Sequence, residues 1–204
     1  MGVPGQDRGP RGVSSDGQPA EEAALVARLR RGDGRAYELL LKSHWPRTFR
    51  YVRVIVRDNE LAADVAQEAF LRLWQARATL NPAFPLSTWL LRTARNFAIS
   101  ERRKLWVRLR WARRQSGGTD QVRSDPLRDL EQQEAAAVLY AALEHLPTRR
   151  REVFTLYHLQ KLSYKQVAEV MGIRPQTVAN YLRAALLDLR RSLRHRSPDL
   201  LPPK

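Results

Sequence analysis

The sequence contains no cysteine among its 204 residues. This absence excludes disulfide bonds, cysteine-ligated zinc and thiol catalysis within the chain. Long apolar runs are absent too, since no segment approaches the roughly 20 residues of a membrane-spanning helix. The first 20 residues are rich in glycine, proline and polar side chains, without the apolar core of a signal peptide, and are predicted to form a disordered tail. These features are compatible with a cytoplasmic protein that does not bind membranes.

Motifs of common enzyme and cofactor sites are also missing. The four histidines are scattered without metal-ligand spacing, and no P-loop, Rossmann glycine pattern or nucleophile elbow is found. We therefore expect no catalytic residue, no metal, no cofactor and no small-molecule substrate. The acidic pair Glu21 and Glu22 is explained by its place at a predicted helix start.

Basic side chains are in large excess, with 36 Lys and Arg against 21 Asp and Glu and a formal charge of +15. Most are arginines, which suit bidentate contacts to phosphate and guanine. The excess indicates a polyanionic partner, either nucleic acid or an acidic membrane surface. The basic excess is greatest in residues 101–114, which contain seven basic side chains and one acidic side chain around Trp106 and Trp111. That segment is either a solvated face or a contact with nucleic acid or a partner's channel.

Helical periodicity runs from residue 21 to about residue 196, and no strand pattern competes with it. Breaks are predicted at Gly32–Gly34, with Asp33 as the next N-cap, and at the prolines of residues 81–85, with Ser87 as the next N-cap. Between them another helix is predicted to start with Asp58 or Asn59 as its N-cap. The predicted fold is all-α, with two small helical domains joined by a basic linker. The predicted parts are a tail at 1–20, a domain at 21–100, a flexible basic linker at 101–129, a domain at 130–196 and a tail at 197–204.

The C-terminal domain carries a helix-turn-helix pattern. Ser163 and Gln166 match a capping box, Gly172 suits a left-handed turn and Pro175 suits the first turn of the next helix. One face of that helix can contact base edges and thymine methyls in a major groove: Gln176, Thr177, Asn180, Tyr181, Arg183 and Ala184. Phosphate contacts are expected from Lys161, Lys165, Arg174 and Arg190. The alternative is a helical hairpin packed inside another kind of protein.

Two polar faces of the N-terminal domain are candidate binding surfaces. The first, in DVAQEAFLRLW, comprises residues at i, i+3, i+4 and i+7: Asp64, Gln67, Glu68 and Leu71. A leucine amid acidic and amide groups on a basic protein suggests a docking patch for another protein, the alternative being an ordinary solvated face.

The second face belongs to the helix after the proline loop. Trp89 is expected to anchor this helix and to lie beside nucleic acid. The remaining residues are expected on or near one polar face: Arg92, Arg95, Asn96, Ser100 and Arg103. Such a face beside aromatic side chains suits unpaired nucleic acid, although a basic solvated face is again the alternative.

Taken in order, three segments resemble the bacterial sigma factors of the sigma-70 family: DVAQEAFLRLW, TWLLRTARNFAISERRK and LPTRRREVFTLYHLQKLSYKQVAEVMGIRPQTVANYLRAAL. The resemblance covers about residues 21–195, and the two-domain length is similar to that of the extracytoplasmic-function (ECF) group. It implies a cytoplasmic promoter-specificity subunit that recruits core RNA polymerase to minus-thirty-five and minus-ten elements and promotes DNA melting.

The resemblance also implies a role for each surface. The patch within residues 64–74 would bind the polymerase clamp helices. The loop at 79–87 and the helix to Arg103 would recognise and melt the minus-ten element, with Asn96 and Ser100 near the extruded base of the melted non-template strand. The linker would thread through the polymerase, and the helix-turn-helix would bind the minus-thirty-five duplex and the polymerase flap. An anti-sigma factor is a further partner that the resemblance allows.

This sequence departs from the family pattern on the implied readout faces. Ser100 stands where many members have an acidic residue, and Ala179–Asn180 where they have Lys or Arg followed by Ser. These departures bear on which promoter sequence is bound. Two other classes remain: a stand-alone dimeric helix-turn-helix regulator, which leaves the docking patch unexplained, and a sigma-like decoy for an anti-sigma factor, which the arginine-rich linker disfavours.

Overall fold

The computed structural model describes residues 17–115 and 141–196, and within these ranges the regular structure is helical throughout. The helices are α1 (Gly17–Arg30), α2 (Gly34–Val56), α3 (Asn59–Ala76), α4 (Leu86–Gln115), α5 (Thr148–Phe154), α6 (Tyr164–Met171) and α7 (Pro175–Arg196). Residues 141–144 are also helical, a 3₁₀ turn (Arg77–Thr79) follows α3, and a π-helical turn (Thr155–Leu159) continues α5. None of these described helices is both long and apolar enough to cross a membrane. The prediction that residues 17–20 belong to a disordered tail is wrong, because they form the start of α1. The rest of the predicted tails, residues 116–129 of the predicted linker and residues 130–140 of the predicted C-terminal domain lie outside the described ranges.

Local capping side chains set several helix starts, as the sequence predicts. The Asp33 carboxylate accepts hydrogen bonds from the backbone N–H groups of Arg35 and Ala36 at 2.9 and 3.2 Å. Asp58 caps α3 by accepting from the Leu61 N–H at 2.7 Å. Each cap satisfies N–H groups that a first helical turn leaves without an intrahelical partner.

The start of α4 is capped differently from the prediction. The helix begins at Leu86, so Ser87 lies inside its first turn and is not the N-cap. The Leu86 N–H instead donates to Glu22 Oε1 at 3.1 Å, and Glu22 Oε2 lies 3.1 Å from His44 Nε2. The hydrogen bond from His44 is the main cause of a lowered pKa at Glu22. Since α1 begins at Gly17, Glu22 is not at a helix start either.

Helix α4 also continues past the predicted domain boundary at residue 100. Residues 86–115 contain neither glycine nor proline and are rich in arginine, leucine and alanine, which favour helix. Glu101 and Lys104 add an i,i+3 ion pair at 2.6 Å. Residues 101–115 are therefore a helical continuation of the N-terminal domain, and the flexible linker predicted for them is wrong.

The helices form an N-terminal unit (residues 17–115) and a C-terminal unit (residues 141–196) that share a buried core. One apolar cluster lies within the N-terminal unit and includes Leu29, Phe70 and Leu90. A second joins both units, since Tyr51, Leu91 and Ala98 belong to the same cluster as residues of α5, α6 and α7. Helix α4 packs against α6, and α2 packs against α5. The buried side of α4 is therefore covered by α2 and α3 of its own unit and by α6 of the C-terminal unit.

Candidate nucleic-acid interface

The helix-turn-helix geometry of α6 and α7 is confirmed. Ser163 Oγ accepts from the Gln166 N–H at 3.3 Å, and Gln166 Oε1 accepts from the Ser163 N–H at 2.9 Å, which completes the capping box. Gly172 ends α6 in the left-handed conformation, with φ +64°, and its N–H donates to the Ala168 carbonyl. Pro175 is the first residue of α7. These local signals place α7 across a tight turn from α6.

Helix α7 exposes the face that the sequence predicts for base contacts. Val178, Leu182 and Leu189 are buried on the opposite side. The predicted residues are exposed or half-buried as follows: Lys165, Arg174, Gln176, Asn180 and Arg183 are exposed, and Thr177, Ala179, Tyr181 and Ala184 are half-buried. Gln176 Nε2 donates to Asn180 Oδ1 at 3.4 Å, one helical turn away. The two amides thus form a polar pair of donors and acceptors, the groups that contact base edges in a major groove.

The predicted docking patch lies on one outward face of α3. Asp64 and Gln67 are exposed and Glu68 is half-buried. Leu71 is 46% exposed, which is high for a leucine in a helix whose opposite side is fully buried. The patch therefore combines one accessible apolar side chain with carboxylates and an amide, a composition suited to protein contact.

The predicted single-strand face of α4 is only partly formed. Arg92, Asn96, Ser100 and Arg103 are exposed, at steps of four, four and three along the helix. Trp89 is half-buried and packs against the N-terminal cluster, in agreement with an anchoring role. Arg95 does not lie on this face, because it is 5% exposed and turned toward the C-terminal unit.

Arg95 is held there by Glu152, which is not one of the predicted site residues. Its Nε donates to Glu152 Oε2 at 2.6 Å, and the two side chains are 6% and 3% exposed. Arg102 Nη1 donates to Thr148 Oγ1 at 3.4 Å near the same place. The run of arginines before Glu152 suggests a solvated helix start, so no local signal marks this carboxylate as buried.

A cleft of about 820 Å³ opens beside the ion pair, between α4 and the start of α5. Five arginines line it together with Trp106 and Glu152: Arg95, Arg102, Arg103, Arg110 and Arg149. Trp106 is 65% exposed, and the Arg110 guanidinium lies 5.8 Å from the centre of its indole ring. An exposed tryptophan among arginines is suited to aromatic and anionic ligands, which nucleic acid provides together.

A smaller cavity, of about 210 Å³, lies at the loop between α3 and α4. Trp89 and Phe84 line it with Thr79 and Asn81. Asn81 Oδ1 accepts from the Ala83 N–H at 3.0 Å, which fixes the bend of the loop. The cavity combines aromatic walls with polar groups, as a pocket for an unstacked base requires.

Two family models match the chain, one for each unit. Residues 40–108 match Sigma-70 region 2, and residues 130–189 match Sigma-70, region 4. The chain belongs to the sigma-70 family, whose members confer promoter specificity on bacterial RNA polymerase. Within that family it groups with the extracytoplasmic-function sigma factors.

Curated relatives and solved structures agree with this assignment. The chain is 29% identical to the RNA polymerase sigma-H factor of Pseudomonas aeruginosa over 177 residues, covering 78% of this chain and 86% of that protein. It is 27% identical to the ECF RNA polymerase sigma-E factor of Escherichia coli K12 over 165 residues, covering 77% and 86%.

Two solved structures share the fold. CnrH, in complex with the cytosolic domain of CnrY, matches with a TM-score of 0.65 at 23% identity, over 86% of this chain and 99% of that one. The sigma factor RpoE of Bartonella quintana, in complex with the anti-sigma factor NepR, matches with a TM-score of 0.65 at 20% identity, over 78% and 98%.

Proposed function

We propose that this sigma factor divides promoter recognition among three surfaces: the α3 patch binds core RNA polymerase, the α4 face binds melted minus-ten DNA, and α7 binds the minus-thirty-five duplex. The observation that carries the proposal is that each helix buries one side and leaves the polar residues predicted for its role exposed or half-buried, with Arg95 of α4 as the buried exception. The chain itself performs no chemistry. It acts in the cytoplasm, where core polymerase and promoter DNA are found.

The α3 patch is proposed to bind the polymerase clamp helices. Exposed Leu71 supplies the apolar anchor, and Asp64 and Glu68 supply negative charge on an otherwise basic protein. Clamp helices that bind it are expected to offer an apolar pocket rimmed by basic side chains. Interfaces of this kind concentrate binding energy in a few central side chains, which makes Leu71 the first residue to test.

The α4 face and the adjoining loop are proposed to capture the non-template strand. Arg92 and Arg103 would neutralise phosphates, while Asn96 and Ser100 would contact bases. The cavity beside Trp89 would accept a base removed from the stack, because its aromatic walls replace the stacking that the base loses. The exposed Trp106 and the basic end of α4 extend this surface toward the polymerase channel.

Helix α7 is proposed to lie in the major groove of the minus-thirty-five element. Gln176 and Asn180 would read base edges, Lys165 and Arg174 would contact phosphates, and the half-buried Ala179 would permit close approach. The same unit would touch the polymerase flap. An anti-sigma factor is a proposed further partner, supported by the structural neighbour RpoE, which was solved in complex with the anti-sigma factor NepR.

The decisive experiment is reconstitution with core RNA polymerase. The holoenzyme is expected to initiate transcription from a subset of promoters in a randomised library, and the selected sequences define both elements. Absence of initiation from every template, by a chain that is folded and bound to core enzyme, would contradict the proposal. A stable dimer that binds duplex DNA without polymerase would instead favour a stand-alone regulator.

A further inference from the structure

The cleft between α4 and α5 has the size of a small-molecule site. Its volume of about 820 Å³ lies within the range of about 300–1,000 Å³ that is usual for such sites. The start of α5 makes one wall, with Thr148 and Arg149. A stripe of α4 makes the other wall, with side chains at steps of four, three and four along the helix: Ile99, Arg103, Trp106 and Arg110.

The charge of the cleft favours an anionic ligand. Its one carboxylate among the described lining residues, Glu152, is paired with Arg95 at 2.6 Å and is almost fully covered, so it does not repel an anion. The four other lining arginines are exposed, and no carboxylate of the described residues lies within ion-pair distance of them: Arg102, Arg103, Arg110 and Arg149. Positive charge without a partner in a concave site raises the local concentration of anions.

The two walls come close enough for one ligand to contact both. Arg102 Nη1 of α4 donates to Thr148 Oγ1 of α5 at 3.4 Å. A phosphate group placed beside this contact has several acceptor oxygens, which can take hydrogen bonds from Arg102 and from Arg149 at the same time. The polar end of the cleft is therefore suited to phosphate.

The other part of the α4 wall is apolar and aromatic. Trp106 is 65% exposed, and Ile99 and Val107 beside it are exposed as well. The Arg110 guanidinium lies 5.8 Å from the centre of the Trp106 ring. An inorganic anion would leave these side chains in water, whereas a flat nucleobase can stack on the indole and cover the aliphatic groups.

The ratio of cations to aromatic rings separates a nucleotide from a nucleic-acid strand. Four guanidiniums without a carboxylate partner accompany a single aromatic side chain among the described lining residues. A strand carries one phosphate charge for each base, but a nucleoside polyphosphate carries several phosphate charges on one base. Nucleoside triphosphates are also the substrates of RNA polymerase, so they are present wherever a sigma factor acts.

We propose that the cleft between α4 and α5 binds a nucleoside polyphosphate, with the base stacked on Trp106 and the phosphates held by arginines of both walls, including Arg103 and Arg149. The proposal concerns the free chain and does not depend on the proposed function. Trp106 and Arg103 belong also to the surface proposed for melted DNA, so a nucleotide and a strand would compete for them. Arg149 has no proposed role in promoter binding and tests the cleft by itself.

ATP is the probe, titrated into the full chain without polymerase or DNA and followed by calorimetry. We expect one ATP to bind per chain and the melting temperature to rise with ATP concentration. Inorganic tripolyphosphate, which lacks the base, should bind at least about fivefold more weakly, because a stacking contact is lost. Adenosine, which lacks the phosphates, should bind more weakly still. Tripolyphosphate that binds as tightly as ATP would overturn the proposal, since no base would then be recognised.

One variant on each wall tests whether the ligand lies between them. Trp106→Ala should weaken ATP binding by at least about fivefold through loss of the stack. Arg149→Gln should weaken it by about tenfold through loss of a charge-assisted hydrogen bond. Both native side chains are exposed, so the variants are expected to fold, and circular dichroism checks this.

Each variant has a matched control outside the cleft. Arg31→Gln makes the same change at an exposed arginine that does not line the cleft, and Leu187→Ala truncates an exposed apolar side chain on α7. Both controls should bind ATP within about twofold of the wild type. Equal ATP binding by Arg149→Gln and Arg31→Gln would overturn the proposal, because the ligand would then contact α4 alone.

A single-stranded oligonucleotide distinguishes the cleft from the proposed DNA surface. Arg149→Gln should bind a fluorescent ten-nucleotide strand as the wild type does, while its affinity for ATP falls. A chain that binds the strand but not ATP would overturn the proposal and leave the cleft as part of the nucleic-acid surface. Transcription is not measured in any of these titrations, so failure of the proposed function would be seen separately, in the reconstitution with polymerase.

Discussion

Glu22 of α1 accepts a hydrogen bond from the backbone N–H of Leu86, the first residue of α4, at 3.1 Å and a separation of 64 residues. The same carboxylate contacts His44 of α2. One side chain thus joins three helices and fixes the start of the helix that carries the proposed minus-ten face. This hydrogen bond satisfies the backbone N–H of Leu86, for which no side chain near it in sequence is the acceptor.

Removal of this carboxylate is expected to destabilise the N-terminal unit. Glu22→Gln should lower the free energy of unfolding by about 1 kcal/mol, in the range of lost helix caps. Urea denaturation at neutral pH measures the change. Glu21→Gln is the control, because Glu21 is the exposed neighbouring residue and undergoes the same chemical change.

The same site predicts a dependence of stability on pH. The hydrogen bond from His44 holds the pKa of Glu22 below its ordinary value of 4.5 in the folded state. The stabilisation is therefore fully present above pH 4.5 and is lost as the pH falls through the lowered folded pKa. The difference in unfolding free energy between wild type and Glu22→Gln should shrink below pH 4.5. A difference that stays constant to lower pH would show that the carboxylate charge is not involved.

Leu71→Asp should abolish polymerase docking without unfolding the chain. The substitution places a charge where the proposed interface needs an apolar anchor, and a weakening of at least about tenfold is expected for a central contact residue. Binding to core polymerase is measured by titrating the polymerase into each fluorescently labelled variant. Leu39→Asp is the control, since Leu39 is a similarly exposed leucine, 39% against 46%, on another helix. Equal binding by the two variants would remove the α3 patch from the interface.

Gly172→Ala tests the turn between α6 and α7. A Cβ at this position would have no heavy atom within 4 Å, so the cost comes from the left-handed backbone with φ +64° alone. We expect a loss of about 1 kcal/mol in the stability of the C-terminal unit. Gly34→Ala is the control, because Gly34 has equally open surroundings but a helical backbone in the first turn of α2. The free energy of unfolding of this control variant should equal that of the wild type or be slightly higher.

Features that depend on near neighbours in sequence were predictable. The capping residues Asp33, Asp58 and Ser163 act within three residues, and the exposed faces of α3 and α7 follow from helical periodicity. The family could also be identified from the sequence, because each of its motifs lies within one or two helices and therefore depends on near neighbours in sequence.

Features that depend on packing between the units were not predictable. Arg95 and Glu152 look like solvated charges in sequence, but packing of the two units buries both, and each neutralises the charge of the other. Arg151 is buried as well, but its Nη2 donates to a neutral group, the Leu146 carbonyl oxygen, at 3.0 Å, and burial lowers its pKa to about 10. Nothing in the sequence around Arg149–Arg151 indicates that, of these three arginines, only Arg151 is buried.

The α7 face makes a prediction about specificity. Asn180→Ala removes the amide that lies 3.4 Å from Gln176, and it should relax selection at one minus-thirty-five position by about 1–3 kcal/mol while other positions keep their preference. Lys165→Ala, at a proposed phosphate contact, is the comparison. This variant should weaken binding to all promoter sequences alike. It should also reduce the slope of log K against log salt concentration by about one. Selection from randomised promoters by each variant holoenzyme measures the first effect, and binding titrations over a salt series measure the second. A uniform loss with Asn180→Ala would make Asn180 a backbone contact and leave Gln176 as the remaining amide for base recognition on this face.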